Sequence, residues 1–346
     1  MTIDREDLVR RLVELLQIPS PTGRADAAVD YMERAFADLG VETRRTRKGA
    51  LLAVLPGQDP TAPARALAAH VDTLGAMVKE IKPSGRLKLT RIGSYPWFTV
   101  VGEYCTVHTL DGRQYTGTVV PVRASVHVHG PEMKEIKWED DDVEVRLDER
   151  VSDPEGVRAL GIGVGDFVSW DPRTVVTPAG FIKSRHLDNK AAAAVFLAAA
   201  RVLRETGRQP TATTYLFISN YEEVGHGAAA GIPPEVAEIV AVDMAAVGRG
   251  QTSDEFSCTI CVMDSDGPYD YALSRRLIQL ARAHGIPHQV DIYPYYGSDA
   301  GAALQAGLEA RHALMGPGVD ASHSYERTHV EALEATARLV LAYVLS

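Results

Sequence analysis

The second half of the chain alternates between segments with helical and with strand periodicity. Apolar residues recur every three or four positions in the helical segments, and they run almost unbroken through the short segments between them. The pattern predicts helices at 188–206, 271–284, 299–307 and 329–344, and strands at 212–219, 238–243, 256–262, 288–293 and 311–315. Strands that are apolar on both faces are typical of a helix-covered sheet. We therefore expect an α/β fold with a mixed sheet flanked by helices.

The N-terminal 73 residues fit the same fold. A helix opened by Asp4 carries four leucines on one face and ends before Pro19, and a second amphipathic helix ends at Gly40. Apolar strands follow at 51–55 and 66–70. Residues 1–73 are therefore predicted to be the first part of the α/β domain, and residues 174–346 its second part.

Residues 74–173 follow a different pattern. Helical periodicity disappears, and short alternating strands are separated by turn dipeptides such as Asp111-Gly112. This segment is predicted to be an inserted all-β domain.

Composition and charge limit the kinds of partner and the cellular location that we expect for the protein. The net charge of −10 and the absence of a basic run argue against nucleic acid and against an anionic membrane surface. The N-terminus has charged residues threaded through its apolar ones, unlike a signal peptide, and no apolar span is long enough to cross a bilayer. Three cysteines do not form a secreted disulfide framework. We expect a cytoplasmic protein that acts on small molecules or peptides.

Six acidic or imidazole side chains follow predicted strands or begin a helix. Taken singly, each has an ordinary explanation, such as a polar strand end, a helix N-cap or a surface glutamate pair. Sites in α/β sheets lie outside the carboxyl ends of the strands. Six candidate metal ligands at such positions together favour a two-metal hydrolase. The residues are His70, Asp188, Glu222, Glu223, Asp243 and His323.

Two more assignments follow from spacing. Asp72 lies two residues after His70, on the same face of a strand, and is predicted to hold the imidazole. Glu222 and Glu223 can converge just past a strand end, where one binds metal and the other remains as a base. The chain contains no H-E-x-x-H, G-x-S-x-G or P-loop motif, which argues against serine-nucleophile and nucleotide chemistry.

Many short motifs, in a characteristic order along the chain, give it a family resemblance. These include IPSPTG, AAHVDTLG, DNKAA, NYEEVGHGAA, VAVDMA, YYGSDAGAA and GPGVDASHSYERTH. Over essentially its whole length the chain resembles the TET-type dinuclear metallo-aminopeptidases, a family of glutamyl and deblocking aminopeptidases with some members labelled endoglucanases.

The resemblance implies one ion on His70, Asp188 and Asp243, a second on Asp188, Glu223 and His323, and Glu222 as general base on a metal-bridging water. It further implies that residues 74–173 form a β-barrel that helps to assemble a homododecamer. Two divalent ions are expected, zinc first, with cobalt or manganese as alternatives.

The predicted activity is removal of N-terminal residues from small peptides, with the residue preference left open. A deacylase or amidohydrolase acting on acylamino acids or other small amides is the alternative enzyme. A glycan hydrolase would need two opposed carboxylates instead of histidine ligands. An inactive peptide-binding scaffold is the alternative from another class.

Overall fold

The computed structural model describes residues 2–346, which form two compact units. One unit comprises residues 2–72 and 173–346, and the other comprises residues 73–172. The helices are α1 Arg5–Leu16, α2 Asp26–Asp38, α3 Val126–His129, α4 Pro154–Ala159, α5 Leu187–Thr206, α6 Tyr271–Ala283, α7 Asp299–Gln305 and α8 Val330–Val344.

Strands are more numerous than helices. In chain order they are β1 Glu42–Arg45, β2 Leu51–Leu55, β3 Ala64–His70, β4 Gly75–Ile81, β5 Leu87–Ile92, β6 Tyr104–His108, β7 Gln114–Pro121, β8 Val143–Leu147, β9 Phe167–Trp170, β10 Val175–Val176, β11 Phe181–Ser184, β12 Thr214–Ser219, β13 Val236–Val242, β14 Ala245–Val247, β15 Cys258–Asp264, β16 Gly267–Pro268, β17 His288–Ile292, β18 Arg311–Asp320 and β19 Glu326–His329.

The larger unit is built on a mixed sheet. Its main path runs β1-β2-β12-β3-β13-β18-β19-β11-β10, with β14 and β15 paired to β18. The central strands β12, β3, β13 and β18 are parallel, and almost every residue in them is buried. Helices flank the sheet, which confirms the predicted α/β fold. Parallel neighbours bring their carboxyl ends to one edge, and that edge positions the site.

Helix α5 is buried almost all round. Its alanine-rich face packs among α1, α8 and the sheet, and residues 187–200 are all buried. A helix that is apolar on every side belongs in the interior of a domain. Asp188 and Asn189, joined by a cis peptide bond, have non-helical backbone angles, so the regular helix begins after them.

The smaller unit is a closed barrel of strands β4-β5-β8-β7-β6-β9. It has its own core, in which Tyr95 makes edge-on contacts with Trp97 and Trp170. The barrel implied by the family resemblance is therefore confirmed. Among residues 2–346, no helix combines the length and apolar character that crossing a membrane requires.

One strand is longer than its sequence indicates. Sequence periodicity ends β18 near Met315, but the strand continues to Asp320 through two glycines. A Cβ on Gly316 would lie 1.5 Å from the carbonyl oxygen of Asp243, and one on Gly318 would lie 1.8 Å from that of Asp254. These glycines therefore permit close backbone packing and do not mark a loop.

The contact between α1 and α5 gives a pH-dependent prediction. Asp7 on α1 pairs with Arg10 and Arg11 of the same helix and with Arg201 of α5. Burial opposes ionisation, but hydrogen bonds from the three guanidinium groups lower the pKa of Asp7 to about 2. A carboxylate with a depressed folded pKa stabilises the fold above its unfolded pKa of about 3.9, and that contribution is lost as the pH falls toward 2.

We expect Asp7→Asn to destabilise the protein by about 1 kcal/mol at pH 7, a value reduced for the solvent screening of half-exposed Arg10. The difference from the unsubstituted protein should shrink as the pH falls from about 4 to about 2, between the unfolded and folded pKa values of Asp7. Urea unfolding across this range measures it. Glu6→Gln, an exposed change on the same helix, serves as the control. A difference that stays constant with pH would contradict the ionic origin.

Candidate metal centre

Three parallel strands deliver the candidate side chains to one edge of the sheet. His70 is the last residue of β3, and Asp243 directly follows its neighbour β13. On the other side of β3, strand β12 is followed by a short 3-10 turn that carries Glu222 and Glu223. The register pairs Ser219 with His70, so this turn begins beside the imidazole. The topology alone therefore places these side chains close together.

Asp188 lies between two imidazoles. Its Oδ1 is 3.1 Å from Nε2 of His70, and its Oδ2 is 3.3 Å from Nε2 of His323. Ser322 Oγ also donates to Oδ2, at 3.1 Å. One carboxylate thus faces two histidines that are 253 residues apart in the chain, which is the arrangement a shared ligand requires.

The remaining acids complete a group around each imidazole. Nε2 of His70 lies 3.8 Å from Asp243 Oδ2 and 3.6 Å from Glu222 Oε2. Nε2 of His323 lies 3.6 Å from Glu223 Oε2. The structure therefore brings all six strand-end candidates together, and Asp72 lies directly beside them.

This donor set fits divalent metal. Ligand atoms of His70, Asp188 and Asp243 all lie within 4.8 Å of one another. Nitrogen and oxygen donors that bind a tetrahedral ion at about 2.0–2.2 Å are roughly 3.3–3.6 Å apart, close to the separations found here. Imidazole with carboxylate suits zinc, and neither a soft thiolate pair nor an all-oxygen cage is present among these residues.

Asp72 supports the site in a different way from the one its spacing predicts. Nδ1 of His70 donates to the main-chain carbonyl of Asp72 at 2.9 Å, while the carboxylate Oδ1 is 3.7 Å away. This contact places the proton of the neutral imidazole on Nδ1, so Nε2 is the nitrogen that could bind a metal ion. The carboxylate accepts the backbone N–H groups of Glu222 and Glu223 at 3.2 and 3.3 Å. Asp72 therefore fixes the turn that carries both glutamates.

The N-terminal IPSPTG motif braces Asp72 from the other side. Thr22 Oγ1 donates to Asp72 Oδ2 at 2.7 Å, and Ser20 Oγ donates to the carbonyl of Val71 at 2.7 Å. Lys190, fully buried in α5, donates to the carbonyl of Ile18 at 2.7 Å. The motif carries the family resemblance, but nothing in its sequence indicates these contacts with the site.

Glu326 is a buried site residue that sequence reasoning missed. Its carboxylate accepts the backbone N–H groups of Asp188 and His323, both at 3.1 Å, and so fixes two candidate ligands. Burial, with a further contribution from Asp188, raises the pKa of Glu326 to about 8. The surrounding YERTH sequence has the composition of an exposed strand, so nothing in the local pattern marks Glu326 as a buried residue.

Buried carboxylates dominate the electrostatics. Burial raises the pKa of Asp243 to about 7 and raises the pKa values of Glu222 and Glu223 well above their ordinary range, and neighbouring acids add to each effect. Burial also opposes ionisation of Asp188, but hydrogen bonds from His323 and His70 hold its pKa below normal. Such crowding of acids is relieved by bound cations, which keep the ligands ionised.

The sheet and its histidine–carboxylate cluster place the protein among the metal-dependent hydrolases. Residues 49–339 match the M42 glutamyl aminopeptidase family. The Bacillus subtilis protein named "Putative aminopeptidase YhfE" is 50% identical over 333 residues, which cover 96% of each chain. The chain therefore belongs to the M42 glutamyl aminopeptidase family, as its motifs indicate. It is a metal-dependent aminopeptidase by class, which confirms the predicted enzyme type.

Solved structures share the fold at low sequence identity. An aminopeptidase from the archaeon Desulfurococcus kamchatkensis gives a TM-score of 0.88 at 20% identity and covers 99% of this chain and 95% of its own. The TET1 peptidase of Pyrococcus horikoshii, described as assembling into a tetrahedron or a large octahedral shell, gives 0.84 at 21% identity. That match covers 98% of this chain and 99% of the TET1 chain.

Proposed function

We propose that the protein is a dinuclear-metal aminopeptidase that removes N-terminal residues from small peptides. The observation that carries this proposal is the position of Asp188, which offers one carboxylate oxygen to each of two imidazoles. A site for a single ion would not need a second histidine beside the other oxygen of the Asp188 carboxylate.

The proposed ligand sets share Asp188. His70 and Asp243 would complete one set, and Glu223 and His323 would complete the other. Zinc is the expected metal, with cobalt or manganese as alternatives. When bound, the ions would polarise the scissile carbonyl and make water more acidic.

Glu222 is proposed as the general base. Both glutamates line the pocket, but the side chain of Glu222 is 16% exposed and that of Glu223 only 3%. The hydrogen bond from the backbone N–H of Glu222 to Asp72 holds it at the pocket wall. There Glu222 would take a proton from the attacking water and deliver it to the leaving amine.

The test is a substrate panel on metal-reconstituted protein. Aminoacyl-p-nitroanilides with different first residues are compared with the corresponding N-acylated amino acids. We expect hydrolysis only where the first α-amino group is free. Faster cleavage of the acylated compounds would replace the aminopeptidase proposal with a deacylase, and inactivity of metal-loaded protein on both would leave a binding scaffold.

Self-association is proposed for the same protein. The TET1 peptidase of Pyrococcus horikoshii is described as assembling into a tetrahedron or a large octahedral shell and as a dodecamer, and the barrel unit of this chain is proposed to contribute contacts between subunits. Sedimentation velocity should then show a species of about 450 kDa, the mass of twelve 37.5-kDa chains. A monomer at micromolar concentration would contradict this.

The three free, buried thiols support a reducing, cytoplasmic location.

Thr22 is predicted to act as a positioning residue through Asp72. Thr22→Val removes the hydroxyl that holds Asp72 Oδ2, so the turn carrying Glu222 loses one of its restraints. We expect kcat to fall about tenfold with KM changed less than about twofold, the usual scale for a residue behind the ligands. Thr22→Ser, which keeps the hydroxyl, should retain most activity. Equal losses in both variants would indicate a packing effect.

A further inference from the structure

The cavity beside the candidate metal ligands has a charged wall of its own. It encloses about 600 Å³, and its lining contains two acids outside the proposed metal and base set, Asp266 and Asp299. No lysine or arginine of the described chain lines it. On the proposed mechanism, this cavity receives the first side chain of the peptide, so the charge of its wall affects which side chain is accepted.

Asp299 belongs to the inner end of the cavity. It is buried, and its Oδ1 accepts the backbone N–H of Ala228 at 2.7 Å. Behind the same loop, Nζ of Lys48 donates to the carbonyls of His226 and Gly227. Burial raises the pKa of Asp299, and the Asp299 carboxylate interacts electrostatically with Lys48.

Asp266 lies farther out, in the turn between β15 and β16. It is exposed, and among residues 2–346 it makes no ion pair with a lysine or arginine. Gln305 Nε2, on α7, donates to Asp266 Oδ2 at 2.9 Å. This hydrogen bond fixes the orientation of the carboxylate, which presents a negative charge to the cavity.

The turn that carries Asp266 is held at several points. Asp264, buried beneath it, accepts the backbone N–H of Asp266 at 2.9 Å and also the hydroxyl of Tyr269. Ser265 N–H donates to the carbonyl of Tyr296 at 3.2 Å. A carboxylate on a braced turn keeps its position when a ligand enters, which is what selection by charge requires.

The other lining groups suit a long cationic side chain. Met244, Ala246 and Ala302 offer apolar surface for a methylene stem, and Tyr295, which is 97% exposed, offers an aromatic face near the opening. A lysine or arginine could place its charged end against Asp266, whereas a glutamate would meet two carboxylates and no cation of the lining.

We propose that Asp266 makes the enzyme select peptides whose N-terminal residue is lysine or arginine. The proposal rests on the aminopeptidase function proposed above. It makes Asp266 a specificity-determining residue that contacts the substrate side chain and takes no part in the proton transfer.

Matched substrates isolate the charge. Lysyl- and norleucyl-p-nitroanilide have side chains of nearly equal length and differ in the terminal ammonium group, and glutamyl- and glutaminyl-p-nitroanilide differ in a carboxylate. On metal-loaded protein we expect kcat/KM to be about tenfold higher for lysyl than for norleucyl substrate, and lower for glutamyl than for glutaminyl. A norleucyl rate equal to the lysyl rate, or a preference for glutamyl substrate, overturns the proposal.

Variants then assign the effect to one residue. Asp266→Asn should lower the lysyl rate to near the norleucyl rate and leave the norleucyl rate within about twofold. Asp266→Lys should favour the glutamyl substrate. Glu309→Gln makes the same charge change just beyond α7 and outside the cavity lining, and it should alter none of these ratios. A lysyl preference that survives Asp266→Asn overturns the proposal.

Binding measurements distinguish a failure of the proposed aminopeptidase function from a failure of the proposed charge selection. Calorimetric binding of lysinamide and norleucinamide is measured on the same wild-type and Asp266→Asn preparations. If no anilide is cleaved but lysinamide binds more tightly through Asp266, the aminopeptidase function fails and the charge selection stands. If anilides are cleaved without a charge preference, only the selection fails. Equal binding of the two amides overturns it in either case.

Discussion

Glu222→Gln should lower kcat by about 10³-fold while leaving metal content and KM close to those of the unsubstituted enzyme. Glutamine is nearly the same size and keeps the backbone hydrogen bond to Asp72 that positions the turn. It cannot accept a proton at neutral pH, so the loss is confined to the step in which water is activated. Steady-state kinetics with metal analysis of the same preparation measures the effect.

The neighbouring glutamate supplies the control. Glu223→Gln makes the same chemical change one residue away, where the side chain lies 3.6 Å from Nε2 of His323. We expect that variant to lose bound metal as well as activity, because an amide oxygen is a weaker ligand than a carboxylate. If Glu222→Gln keeps normal turnover, or if it is the variant that loses metal, the roles assigned to the two residues are wrong.

Sequence alone predicted the parts of the site that follow from sheet geometry. His70 ends β3 and Asp243 directly follows the adjacent buried strand β13, and a charge at such a place requires a partner. The pair Glu222-Glu223 could be placed because two adjacent acids converge only where a strand turns away. In each case the apolar run before the residue determined its position, so local periodicity was sufficient.

The supporting residues could not be predicted in the same way. Glu326 lies between Tyr325 and Arg327 in a segment that has the composition of an exposed strand, and its burial depends on how β19 packs beside β18. Thr22 reaches Asp72 across 50 positions of sequence. The strand predicted from periodicity ends just before Gly316, although the absence of a Cβ there lets β18 continue and approach Asp243. Such contacts are set by tertiary packing, which periodicity does not encode.

The shared ligand gives the second large prediction. Removing metal with a chelator should lower the melting temperature of the wild-type protein by about 10 °C, since two ions at 100 times their Kd each contribute about 2.7 kcal/mol. Asp188→Asn should reduce that metal-dependent shift to about 2 °C or less, and its activity should fall to background. Asp188 contacts both imidazoles, so its substitution weakens both sets of ligands.

Metal stoichiometry distinguishes a shared ligand from a structural residue. Asp188→Asn should retain fewer than one ion per chain after dialysis, whereas Glu222→Gln should retain the wild-type number and the full thermal shift. Asp59→Asn makes the same charge change in the loop before β3, at the end of that strand opposite His70. This control variant should behave as wild type in both measurements. Two tightly held ions in Asp188→Asn would remove Asp188 from the ligand set, and with it the reason for placing a pair of metals at this edge of the sheet.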